Sequence, residues 1–174
     1  MSKLIVTPYS AVEETIRLYR PSRLVTLLSP EHMVDIHPML GAERHLRLGV
    51  NDIVDVAAGD SQPAVHHVEQ LLAFARAWDA KDPMLIHCWA GISRSTAAAY
   101  ILLNQLHGPG KEYELAKSLR FHAPHAQPNR LMIRHADKLM DRKARMIGAV
   151  EEMGVALIVG EGEIVELPLE LEDE

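Results

Sequence analysis

Cysteine is nearly absent from this chain: there is one, Cys88, among 174 residues. No disulfide can close within the chain, and no second cysteine can complete a zinc site. Aromatic residues are scarce, at 5%. Long apolar runs are missing too; stretches such as residues 4–6 and 155–159 are far too short to cross a bilayer. The opening MSKLIVTPYS lacks the apolar core and cleavage site of a secretory leader, so a cytoplasmic protein with no membrane partner is expected. A basic surplus is also lacking, since 18 Lys and Arg face 24 Asp and Glu. Seven of those acids lie at 161–174, which reads as a solvating tail, and the remaining 17 nearly balance the bases. Without a basic stripe, no nucleic-acid partner is expected.

What is present suits one soluble domain, with 48% apolar and 24% charged residues and no internal repeat or low-complexity tract. Short apolar runs alternate with helical patterns, which points to α/β layering. Strands are expected at 4–7, 24–28, 45–50 and 84–88. Helices are expected near 9–19, from about 63 to 75, at 95–106, near 111–121 and over 129–147. Pro21 ends the first, and Asp60, Ser61 and Pro63 open the second. That second helix would turn Val65, Val68, Leu71, Leu72 and Ala75 to one face. Residues 155–159 and 163–169 suggest a terminal strand pair. The fold class is therefore α/β, a central, mostly parallel sheet flanked by helices. Residues 1–150 form the main domain, and 151–174 a C-terminal extension ending in the acidic tail.

The chemistry gathers where the strand MLIHC runs into Cys88-Trp89-Ala90-Gly91-Ile92-Ser93-Arg94-Ser95 and then straight into a helix. A loop with small residues and a glycine, between a strand end and a helix N-terminus, can aim successive N–H groups at one anion. The same field favours a thiolate at Cys88, since a helix N-terminus and a nearby cation lower a thiol from about 8.5 to roughly 3.5–7.5. Arg94 supplies a planar fork able to hold two phosphate oxygens.

This motif resembles the signature of the protein tyrosine phosphatase superfamily: His-Cys, five residues, then Arg and Ser or Thr. Its Ala-Gly pair and Ser-Arg-Ser ending are most similar to the dual-specificity branch. The resemblance implies Cys88 as a nucleophile that forms a phosphocysteine, and Arg94 as the phosphoryl-binding cation. It implies that the amides of Trp89, Ala90, Gly91, Ile92, Ser93 and Arg94 hold phosphate oxygens. Ser95 would assist departure of the thiolate, and His87 would support the loop from behind. It also implies a general-acid Asp some thirty or more residues upstream, after a neighbouring strand. Asp52, Asp55 and Asp60 qualify; Asp52 follows its strand immediately, Asp55 stays open, and Asp60 is explained as a helix cap. No Trp-Pro-Asp marks this loop.

Downstream, Ala123-Pro124-His125-Ala126-Gln127-Pro128-Asn129 looks like the Arg-Pro-x-Ala-x-Pro-Asn segment of the same branch, with Ala123 in place of Arg. Asn129 reads as a helix cap supporting the site. The resemblance spans about residues 45–140. The histidine pairs His66-His67, His32 with His37, and His122 with His125 lack metal-ligand spacing, so neither metal nor other cofactor is expected. The expected partner is a phosphorylated protein or a small phosphomonoester. Phosphotyrosine is favoured, with tolerance of phosphoserine or phosphothreonine. Nucleotides, RNA 5′-ends and phosphoinositides stay open, although uncharged Trp89, Ala90 and Ile92 disfavour the last. A phosphate-recognition module without turnover is the rival from another class. An arsenate reductase or sulfurtransferase is the second, disfavoured by the His-Cys entry and the lack of resolving cysteines.

Overall fold

A computed structural model describes residues 2–55 and 61–171. Five strands make one sheet: β1 (Lys3–Pro8), β2 (Arg23–Leu28), β3 (His45–Gly49), β4 (Met84–Cys88) and β5 (Val165–Pro168). Their order is β3-β2-β4-β1-β5; the first four are parallel, and β5 runs antiparallel along β1. The mostly parallel sheet flanked by helices is thus observed. Strands such as β4, buried at all five positions, are what a sheet covered on both faces requires.

Strand alternation divides the interior. Leu4, Val6, Val25, Leu27, Leu48, Met84, Ile86 and Cys88 face the larger core. That core is closed by α2 (Val65–Arg76), α3 (Arg94–His107), α4 (Glu112–His122), α5 (Arg130–Leu139) and α6 (Arg145–Glu152). On the opposite face Ile5, Leu24 and Leu85 pack with Leu40 and with Val12 and Ile16 of α1 (Val12–Tyr19). Ala97, Ala98 and Ala99 are fully buried, and their small side chains let α3 lie close to the sheet. Cys88 therefore faces α3, while its neighbour His87 is carried to the α1 side.

Several elements differ from the expectations. A 3-10 turn at Tyr9–Ala11 precedes α1, and α1 ends at Arg20 in the left-handed region (φ 48°), one residue before Pro21. Helix α2 starts after Pro63; the ring of His67 accepts from the amide of Ala64, so Ser61, itself at φ 63°, is not its cap. Asp60 lies outside the described residues. On α2, Val68, Leu71 and Leu72 are buried as expected, whereas Val65 is exposed.

The helix expected over 129–147 is two helices. Asp141, Lys143 and Ala144 all adopt positive φ between them. The carboxylate of Asp137 accepts from the amides of Ala144 and Met146, so it caps α6 where the helical ladder would otherwise continue. Arg142 turns inward to Glu112 (3.0 Å) and to the Asn104 carbonyl (2.9 Å). No strand pair forms at the C-terminus: residues 155–159 are irregular and largely exposed, and only β5 joins the sheet. The segment after residue 151 thus supplies the edge strand beside β1.

Candidate active site

The loop after β4 owes its path to Gly91. Its φ is +69°, and a Cβ there would lie 2.7 Å from the Pro8 nitrogen and 2.9 Å from the Thr7 carbonyl carbon. Both are backbone atoms of β1, whose Pro8 pairs in register with Cys88. No other residue type fits such an approach without displacing the sheet.

Four of the loop carbonyls are held from outside. The amide of Tyr9 donates to Trp89 O (3.0 Å), Gly162 to Ala90 O (2.7 Å), Gln127 to Ile92 O (2.9 Å) and Asn129 to Ser93 O (3.1 Å). The Cys88 carbonyl receives Nδ1 of His87 at 3.2 Å. Because a peptide unit is planar and trans, a carbonyl fixed outward turns the following N–H inward. The amides of Trp89, Ala90, Gly91, Ser93 and Arg94 are aimed at the loop's centre by this argument. Beyond them α3 begins with no side-chain cap, leaving its first N–H groups and positive dipole end toward the same point.

Cys88 is buried beneath the loop, with Sγ 3.1 Å from the Ser95 hydroxyl. Arg94 is 7% exposed, and one terminal nitrogen donates to the Val50 carbonyl at 2.8 Å. Its Nε is buried and has no hydrogen-bond acceptor among the described residues. A buried guanidinium donor without an acceptor is costly, and an anionic oxygen held at the loop's centre would satisfy it.

Asp52 stands at the mouth. One carboxylate oxygen accepts from the Ser93 hydroxyl (2.6 Å) and from Nδ2 of Asn129 (2.8 Å). The same Asn129 side chain donates to Ile53 O, while its oxygen caps α5 by accepting from the Met132 amide. Asn129 thus acts as the expected cap and also tethers the Asp52 segment. Asp55 is exposed and pairs with Arg134 at 3.5 Å.

Trp89 is 54% exposed; its ring stacks on Tyr9 (5.5 Å, 10°) and meets His32 at 5.5 Å, giving the mouth an aromatic rim. Of the histidine pairs, His66 and His67 touch ring to ring on α2, and His122 bonds within α4. Among the described residues no three His, Cys, Asp or Glu side chains form a cluster able to hold a metal ion. No described helix is long and apolar enough to cross a membrane.

Three participants escaped the sequence: the Ser93 side chain, the Tyr9 amide and the Gly162 amide. The two amides leave no mark in a residue pattern, because every residue type except proline carries an N–H. Ser93, three places after an Ala in a hydroxyl-rich loop, was legible only as a backbone donor.

No family model and no curated protein matches the sequence. Solved structures do. Human DUSP28 is similar at a TM-score of 0.58 with 23% identity, over 79% of this chain and 88% of that one. DUSP15 gives 0.58 and 16%, over 88% and 97%. The PTP-2 phosphatase of Cydia pomonella gives 0.54 and 18%, over 95% and 94%. In architecture, this chain has the fold of the dual-specificity, cysteine-dependent phosphatases.

Proposed function

We propose that the protein hydrolyses phosphate monoesters through a phosphocysteine intermediate, with protein phosphotyrosine as the preferred substrate. The observation that carries this reading is the buried Nε of Arg94, lacking an acceptor, in the loop that holds Cys88. The Cys88 thiolate attacks phosphorus, the ester P–O bond breaks, and Asp52 gives its proton to the departing oxygen. Water then attacks the phosphocysteine while Asp52 takes a proton from it, the S–P bond breaks, and the Ser95 hydroxyl supports the returning thiolate. Arg94 and the inward amides stabilise the equatorial oxygens in both steps. Asp52 is favoured over Asp55 because it is tethered to Ser93 and Asn129 at the mouth, while Asp55 is turned to Arg134. The stacked Tyr9 and Trp89 rings offer an apolar rim suited to an aryl ester.

The test is aryl-phosphate hydrolysis without added metal across mildly acidic to neutral pH. Cys88→Ser should abolish turnover, and Arg94→Ala should lower kcat/KM by at least about 10²-fold. Asp52→Asn should lower kcat by roughly 10²–10⁴ and flatten the basic limb of the pH profile. Turnover that survives Cys88→Ser would end this reading. Tight phosphate binding without turnover would leave a recognition module instead.

A further inference from the structure

On the face of the sheet opposite Cys88, three neighbouring strands each contribute one polar side chain to a single row. His87 of β4, Thr26 of β2 and His45 of β3 are 1%, 0% and 3% exposed. The Thr26 hydroxyl lies 2.7 Å from Nε2 of His87 and 2.8 Å from Nε2 of His45. Nδ1 of His45 accepts from the His37 amide at 2.9 Å. Nδ1 of His87 is 3.2 Å from the Cys88 carbonyl.

Only one arrangement of protons satisfies all four contacts. A backbone N–H can only donate, so Nδ1 of His45 is bare and the ring's proton sits on Nε2. That proton points at Thr26, whose oxygen accepts it, so the Thr26 hydroxyl hydrogen turns to His87. Nε2 of His87 must then be the acceptor, which leaves its proton on Nδ1, facing the Cys88 carbonyl. The direction of the row agrees at both ends, with the His37 amide, which can only donate, and with the Cys88 carbonyl, which can only accept.

Both rings stay neutral at working pH, as this requires. Burial holds His45 down at about 4, helped by His87, Arg47 and His37. Burial also brings His87 to about 4, opposed by its bond to the Cys88 carbonyl and helped by Arg94. Glu13 and Asp35 line the space beside the row, and a Glu13 carboxylate oxygen lies 3.4 Å from Nε2 of His37.

We propose that Thr26 and His45 are positioning residues for the nucleophile: they lock the tautomer of His87, so that its Nδ1–H fixes the Cys88 carbonyl and thereby aims the Trp89 amide into the phosphate cradle. This rests on Cys88 being the nucleophile. A hydroxyl in the middle of β2 and a histidine opening β3 otherwise have no packing purpose, since every other inward position of β2 is apolar.

The test uses the full chain and two pairs of variants. Thr26→Val keeps the shape and removes the hydroxyl, whereas Thr26→Ser keeps the hydroxyl. His45→Leu removes the donor to Thr26, whereas His45→Gln places a side-chain N–H near the same point. In wild type, nitrogen-15 NMR of the imidazoles should show the His87 proton on Nδ1. Thr26→Val and His45→Leu should move it wholly or partly to Nε2. They should weaken inorganic phosphate binding and slow alkylation of Cys88 by iodoacetate, each about three- to tenfold, the scale of one hydrogen bond. Thr26→Ser and His45→Gln should restore both. A His87 proton that stays on Nδ1 in Thr26→Val overturns the proposal; so does a shifted proton with unchanged phosphate binding and alkylation. If Thr26→Val does not fold, the His45 pair decides by the same readouts. If wild type turns nothing over, the phosphatase reading fails, while the tautomer, phosphate binding and alkylation still judge this one.

Discussion

At Gly91 the backbone combines a left-handed φ with an approach to β1 closer than any Cβ tolerates. The obstruction is strand backbone, so it cannot be relieved by a rotamer. Gly91→Ala should therefore push the loop off Pro8 and misdirect its amides. Strain at positive φ alone costs about 1 kcal/mol. The functional loss should be far larger, because displacing a reacting group by about 1 Å can cost 10²-fold. We expect phosphate affinity and kcat/KM to fall by about that factor, with the melting temperature lowered by only several degrees. Wild-type phosphate affinity in Gly91→Ala would mean that the loop is shaped by something other than this contact. Ser93 shows how a role can be split within one residue: its carbonyl is pinned by Asn129 while its hydroxyl holds Asp52. Cys88, Arg94 and the loop between them could be singled out in the sequence because the chemistry proposed for them demands particular residue types at fixed spacing. Thr26 was visible only as a polar interruption of an apolar strand and His45 only as the first residue of an alternating one, and nothing in the sequence tells which neighbour such a residue will meet.

Among the elements, the break between α5 and α6 was the feature least legible beforehand. Residues 129–147 keep a helical apolar period across it, and the period cannot register a buried ion cluster. Glu112 at the start of α4 is fully buried, and it accepts from Arg142 (3.0 Å) and Arg145 (2.9 Å). Arg142 lies in the break and Arg145 opens α6, so Glu112 anchors the break to α4. Burial alone would raise its carboxyl, but the bonds from Arg145, from its own amide and that of Gly110, and from Arg142 hold it at about 2. The folded value lies below the ordinary 4.5, so this stabilisation is complete above about pH 4.5. It is lost as pH falls from there toward 2. Glu112→Gln should destabilise the protein by about 3 kcal/mol at pH 7, since Arg142 is left buried and under-compensated. The difference between variant and wild type in urea midpoint should shrink toward zero near pH 2.5. A constant difference at both pH values would remove the ion cluster as its cause. The four parallel strands, by contrast, were located to within a residue, because short apolar or alternating runs bounded by turn signals have few other solutions; the strand expected at 155–159 did not form.

For the molecule as a whole, the C-terminal segment joins what the sequence had set apart. From 155 to 168 the chain passes Pro124, where the Leu157 amide donates to its carbonyl. It then places the Glu161 carboxylate on the Ser10 hydroxyl, gives the Gly162 amide to Ala90 O, and ends as β5. One strap thus ties the loop after β4, the β1 exit and the sheet edge together. Its acidic residues read as tail because charge hides the single amide that matters. Two cuts separate its roles. Stopping the chain after residue 171 removes three acids and should leave phosphate affinity unchanged. Stopping it after 154 strips buried Val165 and Leu167 from the core, each worth about 1.5–3 kcal/mol, and opens the β1 edge to aggregation. The finer probe is Gly162→Ala in the full chain, where the new methyl would meet His125 Nε2 at 2.6 Å and Gly91 O at 2.9 Å. The strap must then lift away from the loop while β5 stays paired. Weaker phosphate binding, by about tenfold, with near-normal stability is the expected result. Unchanged binding would show that the Ala90 carbonyl needs no partner from the strap, leaving β5 as its only contribution.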